Sequence, residues 1–444
     1  MRMSENKFSP KPHIAGILME CNPLHEGHRY ILQEARRRSK ADAVIVLMSG
    51  DFAQRGIPAV EPKELRTRQL LKSGADLVLE LPVSYAVSSA EYFARGGMQI
   101  LHALGIVTDL AFGSESGDLA ALLAKAQFLL HEPEDYQQLL HRYLSQGLTF
   151  PAARTRAAAE CSEHILLPDT ANDILGVEYL RALMQIDSQQ TSHSDVNTAS
   201  EPSGTGFLPS NTDDTVASAI PRLAGLRIHA IPRIQTASAT QLRAQRQETG
   251  SGMFADDCSE LLLSQLLSIQ WDENRHFSDY AGISSDLSNR MERLLPQFIS
   301  WTQFCELLKT RNVTYTAVSR ALLHILLGMD SGYTQYRKPS YVRVLGCRRE
   351  ALPLLSRLQH TTSLPVLTKL PKKPSPALQL DLHASELYDL LLRKKASGDR
   401  DPLKQYSMKQ YPAKQNSDTM KKILPASSDA DRISEYSKPF LILS

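Results

Sequence analysis

The sequence predicts an α/β protein in which a parallel sheet with crossover helices forms the first part and helices form most of the second. Two observations indicate this class. Short apolar strands alternate with helical stretches over the first 130 residues or so, and amphipathic helical patterns dominate after about residue 250. The 444 residues are 42% hydrophobic and 22% charged, which is ordinary globular usage and long enough for two or three domains.

The elements of the first part are predicted from the alternation of short apolar runs, typical of buried strands, with helical patterns of apolar residues. Apolar runs predict strands at 13–19, 42–48, 77–82 and 106–113. Helical patterns predict helices at 27–39, 62–73, 88–104 and 118–131. Right-handed crossovers bring the loops that follow such strands to one edge of the sheet, where ligands bind in this architecture.

The middle of the chain contains a polar segment at about 187–221, rich in Ser, Thr, Asp, Asn and Gly, which we interpret as an exposed insertion. A helix at 174–185 precedes it, and a strand at 226–234 and a helix that starts within 236–245 follow it. Beyond residue 250 the predicted elements are helices at 257–267, 290–299, 301–310, 317–328, 351–358 and 383–395 and strands at 341–346 and 364–370. The predicted domains are therefore 1–250 and 251–444.

Charge and cysteine usage exclude several classes of protein. Fifty Lys and Arg against 48 Asp and Glu give a net charge of +2, which neither requires nor forbids a nucleic-acid partner. The five cysteines are scattered, so a disulfide framework or a zinc knuckle is not expected. No apolar run reaches the length of a membrane span, and residues 1–13 lack a signal-peptide core. We expect a cytoplasmic protein that does not enter the membrane.

The strongest local signal is the segment Gly16–Tyr30, GILMECNPLHEGHRY, which joins the first strand to the first helix. His25 and His28 are three residues apart, so both can point from one face of the helix start. A helix N-terminus favours phosphate, and imidazoles there can donate hydrogen bonds as charge develops. Either histidine can instead be a structural cap. A zinc protease is disfavoured because H-E-x-x-H is absent, and no metal ligand set is predicted.

A second polar cluster follows the second strand, within Met48–Arg66. Asp51, Gln54 and Arg55 belong to no helical stripe, and Arg55 and Lys63 are candidates for holding phosphate or a small carboxylate. Simple solvation of a loop explains the same residues equally well.

Two more clusters follow later strands. In AFGSESGD, Gly113 permits close approach of a nucleoside, and Ser114 can equally cap the next turn. In IPRIQTASATQLR, Ser238, Thr240 and Arg243 gather two hydroxyls and a guanidinium at a helix start, which makes them candidate phosphate ligands or ordinary N-caps.

Whole segments give a closer resemblance. GILMECNPLHEGH, MSGDFAQRGIPAV, KSGADLVLELPVSYAVSSAEYFARGG, FGSES, NDILGVEYLRAL and TASATQLR occur in this order, followed by YVRVLG, LTK and SEYSKP. Together they resemble the bacterial tRNA(Met) cytidine acetate ligase family of the HIGH-type nucleotidyltransferase superfamily. The resemblance implies a Rossmann-like nucleotide-binding domain over 1–250 and a mainly helical tRNA-binding domain over 251–444.

The resemblance also implies an activity. Acetate attacks the α-phosphate of ATP to give acetyl-adenylate and pyrophosphate, and the N4 amine of the wobble cytidine of elongator tRNA(Met) then takes the acetyl group and releases AMP. The implied partners are ATP, acetate and elongator tRNA(Met), and Mg²⁺ is expected to accompany the nucleotide.

The implied site is transferred residue by residue. The family's nucleotide-binding turn corresponds to Leu18, Met19, Glu20, Cys21, Asn22, Pro23, Leu24, His25, Glu26, Gly27, His28, Arg29 and Tyr30. Its remaining ATP contacts correspond to Gly113, Asn172 and Arg233. His25 and His28 are the expected catalytic residues, and Asn172 and Arg233 would position the nucleotide or the acetate.

Four positions depart from the family pattern. Cys21, Leu24 and Glu26 stand where Tyr, Phe and Asn are usual, and Asp51 stands where Asn is usual. A carboxylate at Glu26 would oppose bound phosphates unless it points away from them or meets Mg²⁺.

Binding of tRNA requires cationic or stacking surfaces, and several short basic runs are candidates. They are Arg36, Arg37, Arg38 and Lys40; Arg337, Lys338 and Arg343; Arg348 and Arg349; Lys369, Lys372 and Lys373; and Arg393, Lys394 and Lys395, with Tyr333, Tyr336 and Tyr341 as stacking candidates. Two alternatives remain open: a small-molecule adenylyltransferase, and a non-catalytic tRNA-binding protein with a relic nucleotide site.

Overall fold

A central sheet of nine strands organises the protein, seen in a computed structural model that describes residues 11–162, 166–194, 221–234, 236–332, 338–397, 438 and 440–443. Its strands are β1 (Ile14–Met19), β2 (Ala43–Ser49), β5 (Leu77–Leu81), β6 (Asp109–Ser114), β7 (Arg222–Leu223), β8 (Leu226–Pro232), β9 (Val342–Arg348), β10 (Val366–Leu367) and β11 (Leu441–Leu443). A separate hairpin pairs β3 (Phe52–Ala53) with β4 (Ile57–Pro58).

The strand order is β10-β9-β5-β2-β1-β6-β8-β7, with β11 also paired to β9. β1 lies parallel to β2 and β6, and the β2–β5 and β6–β8 pairs are parallel as well. β1 and β2 are buried along their whole length, as expected for strands covered by helices on both faces. The predicted parallel sheet is confirmed, and the loops after β1, β2, β6 and β8 meet at one edge.

Nine helices of the described residues precede residue 250. They are α1 (Glu26–Ser39), α2 (Lys63–Lys72), α3 (Val83–Ala86), α4 (Ala90–Ala103), α5 (Leu119–His131), α6 (Glu134–Ser145), α7 (Phe150–Cys161), α8 (Ala171–Ser194) and α9 (Ala239–Glu248). The helices α3, α6 and α7 were not predicted from the sequence. The helix α8 continues through 187–194, so the start of the predicted insertion is helical; 195–220 lie outside the described residues. Buried Leu180 and Leu183 anchor this helix, and a helix extends more easily than it nucleates.

The later helices pack around Trp301, Leu322 and Tyr388, which are buried in one apolar cluster. They are α10 (Ser259–Gln270), α11 (Ser285–Leu294), α12 (Trp301–Leu308), α13 (Tyr315–Leu327) and α15 (Pro376–Ser397), whereas α14 (Leu352–Thr361) buries Leu354, Leu355 and Leu358 in the apolar cluster of the sheet. The predicted helix 290–299 is wrong in its second half, because Pro296 breaks the pattern and a short 3-10 turn follows α11. The predicted strand 364–370 is reduced to β10.

The sheet crosses the predicted boundary at residue 250. The strand β9 lies antiparallel to β5, and β10 and β11 pair with β9, so strands from the later part complete the sheet of the first. The division into 1–250 and 251–444 therefore stays a prediction. None of the described helices combines the length and the apolar character needed to cross a bilayer.

Candidate active site

The turn between β1 and α1 carries two stacked histidines. His25 is the N-cap residue of α1 in an extended conformation, and His28 lies one turn into the helix. Their ring centroids are 3.8 Å apart with an interplanar angle of 29°. The backbone N–H of His25 donates to Nδ1 of His28 at 3.2 Å, while the backbone N–H of His28 donates to the carbonyl of His25 at 2.9 Å. The predicted one-face arrangement is confirmed.

These contacts set the protonation of His28. Burial, followed by the nearby His25 and Arg233, lowers the pKa of His28 to about 3. Burial and the neighbouring Arg233 and Arg243 also lower the pKa of His25. A neutral His28 whose Nδ1 accepts a hydrogen bond carries its proton on Nε2. At neutral pH the ring is therefore a neutral donor, suited to a phosphate oxygen.

The lowered pKa of His28 predicts a pH-dependent stability. Below about pH 6.5 the unfolded chain binds a proton at His28, whereas the folded chain binds it only near pH 3. The free energy of unfolding that is present above about pH 6.5 is therefore lost progressively as the pH falls toward 3. Between about pH 7.5 and 5.5 the wild type should lose about 1 kcal/mol more free energy of unfolding than His28→Gln. Urea unfolding at both pH values measures this; equal losses in both proteins would contradict it.

Gly27 lies between the two histidines and leaves room for them. A Cβ on Gly27 would come within 2.8 Å of Cε1 of His25. A glycine at this position therefore lets the His25 ring lie against the helix start. Nδ1 of His25 is buried and finds no hydrogen-bond partner among the described residues, so the His28 ring stacked against it is the contact that holds this ring.

A cavity of about 600 Å³ opens in front of this turn, at the edge where the strands β1, β6 and β8 end. The predicted residues that line it are Leu18, Met19, Glu20, His25, Gly27, His28, Tyr30, Gly113, Asn172, Arg233, Ser238, Thr240 and Arg243. A Cβ at Gly113 would come within 2.8 Å of Cδ1 of Ile31, so the wall is tight there. The structure thus brings four separate sequence clusters to one cavity.

The other predicted residues of the turn do not line the cavity. They are Cys21, Asn22, Pro23, Leu24, Glu26 and Arg29. Glu26 forms an exposed ion pair with Arg29, so its carboxylate does not oppose a bound phosphate. Cys21 and Leu24 belong to an apolar cluster under the sheet, and Asn22 accepts the N–H of Val60 at 2.8 Å. We interpret these residues as supports for the turn.

Arg66 ties the loops after β1 and β2 together and was not predicted. Its buried guanidinium donates to the carbonyls of Glu20, Ser49, Gly50 and Glu61. The Glu20 carboxylate lies at the cavity wall and accepts the N–H of Gln54 at 2.5 Å. Burial raises the pKa of Glu20, while that hydrogen bond and nearby Arg55, Arg243 and Arg66 oppose the rise.

Asn172 and Arg233 both donate hydrogen bonds to the carboxylate of Glu115, a residue that was not predicted from the sequence. Glu115 accepts Nδ2 of Asn172 at 2.7 Å and Nη1 of Arg233 at 3.1 Å. It also accepts the backbone N–H groups of Asn172 and Asp173 at the start of α8. Glu115 therefore caps α8 and holds two predicted ATP contacts at one wall. Its position two residues after Gly113 was the available signal.

Ser238, Thr240 and Arg243 lie at the start of α9. Oγ of Ser238 accepts the N–H of Gln241 at 3.2 Å, so the capping interpretation is confirmed while the residue also lines the cavity. Arg243 donates to the carbonyl of Asn22 at 2.8 Å and to Oγ1 of Thr240 at 3.0 Å. Ser114 is likewise structural: it donates to the carboxylate of Asp173 and accepts the N–H of Gly117 at 2.8 Å.

Lys63 is not a ligand-binding residue, contrary to the sequence analysis. Its Nζ lies 2.9 Å from Oε1 of Glu80, 3.4 Å from Oδ2 of Asp51 and 2.6 Å from Oγ of Ser385. The side chain is only 1% exposed. Asp51, one of the family departures, is therefore neutralised inside the protein and does not reach the cavity. Of the second predicted cluster, Gln54 and Arg55 do line it.

The chain is similar in sequence and fold to known proteins. Residues 13–401 match the family described as HIGH nucleotidyl transferase. The chain is 34% identical over 408 residues to the tRNA(Met) cytidine acetate ligase of Acetivibrio thermocellus, an alignment that covers 84% of this chain and 94% of that protein. The chain belongs to the tRNA(Met) cytidine acetate ligase family.

Other relatives of the tRNA(Met) cytidine acetate ligase family agree. The protein of that name from Halothermothrix orenii is 32% identical over 412 residues, covering 85% of this chain and 94% of that one. A crystal structure of Thermotoga maritima TmcAL bound with alpha-thio ATP is 28% identical with a TM-score of 0.70, covering 85% of this chain and 94% of that chain. The apo form of TmcAL gives a TM-score of 0.73 at 25% identity, covering 97% and 99%. The predicted family and fold are confirmed.

Family membership does not identify the tRNA surface. Several residues of the predicted basic patches form ion pairs or hydrogen bonds with other residues of the chain. Arg36 pairs with Asp76, and Arg37 and Arg38 pair with Glu34. Three further ion pairs join Arg343 to Glu80, Lys394 to Glu260 and Lys395 to Asp257. Arg348 donates a hydrogen bond to the carbonyl of Leu71. Tyr341 is buried against Asp381, so the expectation that it stacks on a base is wrong. Tyr333, Tyr336 and Arg337 lie outside the described residues.

Two cavity residues of the later part were also missed. Thr316 and Arg320 of α13 line the same cavity as the histidine turn. They are nearly 300 residues away from that turn in the chain; the available signal was a single arginine inside the apolar stretch AVSRALLHILL. Within the described residues, no group of three or more His, Cys, Asp or Glu side chains is placed to hold a metal ion.

Proposed function

We propose that this protein is an ATP-dependent ligase that acetylates N4 of the wobble cytidine of elongator tRNA(Met) with free acetate. The observation that carries the proposal is the pair of neutral, stacked histidines at the start of α1, facing a cavity large enough for a nucleotide. The family supports the substrates, since relatives are named tRNA(Met) cytidine acetate ligase and a solved relative binds alpha-thio ATP.

The proposed reaction has two steps. A carboxylate oxygen of acetate attacks the α-phosphorus of ATP, and the bond to the β-phosphate oxygen breaks to release pyrophosphate. The N4 amine of cytidine then attacks the acetyl carbonyl, loses a proton and expels AMP. Both steps build negative charge on phosphate oxygens, so fixed N–H donors at the helix start lower both barriers.

His28 acts in both steps as a donor. Its Nδ1 accepts a backbone hydrogen bond, so its Nε2–H is the donor available to the α-phosphate oxygens, and the His25 ring lines the cavity beside it. Donors that remain neutral are useful here, because they do not hold the adenylate as an overly stable ion pair. The catalytic assignment of both histidines is part of the proposal.

The nucleotide-binding set consists of the cavity residues from the four clusters. We infer that Ser238, Thr240 and Arg243 hold the leaving phosphates and that Gly113 admits the nucleoside. Mg²⁺ would be bound mainly through the phosphates, and Glu20 is the carboxylate of the cavity wall that can supplement them. The ion supplies charge neutralisation of the triphosphate; no step requires it as a protein-bound catalyst.

Arg233 should contribute to nucleotide affinity. Arg233→Met removes one guanidinium from the cavity and should raise the Kd of ATP by about 10-fold, since a charge-assisted hydrogen bond contributes roughly 1.5–3 kcal/mol and this residue is partly exposed. Isothermal titration with ATP measures the change. Arg222→Met, on an exposed residue of β7, is the matched control and should leave the Kd unchanged. Equal affinities in both variants would remove Arg233 from the site.

Binding of tRNA needs cations that remain open. Among the described residues, Lys369, Lys372 and Lys373 form an exposed basic loop next to β10, where no ion pair of these side chains is found. We infer that this loop contacts phosphates of the anticodon stem, with the target base flipped out of the loop into the cavity. Because the substrate is a tRNA, the proposed activity implies a cytoplasmic enzyme.

Nucleoside mass spectrometry tests the proposal. The protein is incubated with ATP, ¹³C-acetate and unmodified elongator tRNA(Met), and labelled N4-acetylcytidine is expected only when all three are present. Acetyl-coenzyme A in place of ATP and acetate should give no product. Pyrophosphate release that depends on another small molecule would indicate an adenylyltransferase, and no release under any condition would indicate a non-catalytic tRNA-binding protein.

A further inference from the structure

Arg320 of α13 presents a positive charge to the cavity that the histidine turn also lines. Its side chain lines the cavity, and among the described residues no hydrogen bond or ion pair of its guanidinium is found. Burial lowers the pKa of Arg320, and no neighbouring carboxylate offsets that effect. A guanidinium that is largely withdrawn from water without a counter-ion favours the binding of an anion.

The backbone around Arg320 is firmly positioned. The hairpin turn between β3 and β4 packs directly on α13, since a Cβ at Gly56 would overlap the backbone nitrogen of Arg320. Oγ of Ser319 donates to the carbonyl of Gly56 at 2.9 Å and accepts Nε1 of Trp301 at 3.1 Å. These contacts involve the backbone and neighbours of Arg320, so its side chain is free to serve a ligand.

Neighbouring groups make this corner of the cavity suited to a small anion. Thr316 lies one turn before Arg320 on the same helix and also lines the cavity, which adds a hydroxyl donor. Gln54 and Arg55 of the hairpin turn face the same cavity. The carboxylate on this wall, Glu20, already accepts the N–H of Gln54 and lies near Arg55, Arg66 and Arg243, so it does not neutralise Arg320.

The nucleotide does not need this cation. The start of α1, the start of α9 and Arg243 line the same cavity and already offer donors for its phosphates. The second substrate of adenylation does need one, because a carboxylate must approach a triphosphate that repels it. The planar fork of a guanidinium matches a carboxylate, and a hydroxyl nearby adds direction.

We propose that Arg320, assisted by Thr316, binds the carboxylate of acetate and holds it beside the α-phosphate before adenylation. This assignment rests on the proposed function and adds the residue that selects the carboxylic acid substrate. Arg320 is then the point at which the helical part of the chain contributes to the first chemical step.

Steady-state kinetics of N4-acetylcytidine formation test the assignment. Arg320→Gln should raise the KM for acetate by about 10- to 100-fold, whereas the KM values for ATP and tRNA stay within about twofold of wild type. Arg320→Lys keeps the charge without the fork and should show an intermediate KM for acetate. Arg311→Gln, at an exposed residue just before α13, is the matched control and should behave as wild type.

Each outcome decides between the candidates. An increased KM for ATP or for tRNA, with an unchanged KM for acetate, would show that Arg320 binds a phosphate and would overturn the assignment. A melting temperature equal to wild type, measured on each variant, separates these effects from misfolding. A wild-type protein that forms no product from acetate would refute the proposed function itself, and the acetate site with it, before any variant is compared.

Discussion

Replacing His28 with alanine should lower the rate of N4-acetylcytidine formation by about 100-fold or more. The substitution removes the Nε2–H donor from the start of α1 and also the Nδ1 acceptor of the His25 backbone N–H. Loss of one fixed donor to a developing oxyanion typically costs a factor of 100 to 1,000 in kcat. The effect should appear mainly in kcat, because the donor strengthens as charge moves onto the phosphate oxygens.

Three further variants sharpen this result. His25→Ala removes the stacked partner and should also lower kcat strongly, while His28→Gln keeps an acceptor and a donor and should retain more activity than His28→Ala. His131→Ala, at the exposed end of α5, is the control and should have the wild-type rate. Initial rates with labelled acetate measure the series. A His28→Ala rate within tenfold of wild type would remove His28 from the chemistry, and the same result for His25→Ala would remove His25.

Replacing Lys63 with methionine should destabilise the protein by about 3–5 kcal/mol without affecting the chemistry. The change leaves the buried carboxylates of Glu80 and Asp51 without their shared cation, and breaking a buried ion pair by removal of one partner carries a cost of that size. Arg343 still pairs with Glu80, which keeps the expected value within this range. Urea unfolding at neutral pH measures the loss.

The control lies on the same helix. Lys72→Met, at the exposed last residue of α2, should change the free energy of unfolding by less than about 0.5 kcal/mol. Under native conditions the folded Lys63→Met protein should bind ATP with the wild-type Kd, because the side chain does not reach the cavity. A weakened Kd with unchanged stability would restore the ligand-binding role that the sequence suggested for Lys63.

The histidine turn could be predicted because its information is local. The strand, the glycine and the two histidines lie within the fifteen residues Gly16–Tyr30, and a parallel sheet fixes which way such a turn faces. The clusters around Gly113 and Ser238 were found by the same rule, since Gly113 lies at the end of β6 and Ser238 follows β8. The carboxyl ends of parallel strands lie at one edge of the sheet. Residues that follow different strands in the sequence could therefore be predicted to lie close together.

Burial of charge could not be predicted in the same way. Lys63 and Arg66 lie three residues apart in a polar-looking stretch, and both are enclosed by loops and helices distant in sequence. Tyr341 was a candidate for stacking on a base, but in the structure its hydroxyl donates to Asp381 of α15. Whether a charged or polar side chain meets solvent depends on which distant element covers it, and a single sequence does not state that.

The contribution of α13 was missed for a related reason. The apolar pattern identified the helix correctly, but nothing local indicated that the hairpin turn at Gly56 packs on it or that Arg320 lines the cavity. A single arginine within an otherwise apolar helix was therefore the only sequence signal that this helix contributes to the cavity.

The position of β9 has a consequence for anyone who shortens this chain. Ending it near residue 250 would remove the neighbour of β5 and leave that strand with a bare row of backbone donors and acceptors, flanked by apolar side chains. Bare strand edges of this kind template aggregation. Fragments chosen from the helical content alone would therefore be poorly behaved, because the sheet of the first part is completed only when the later strands pair with it.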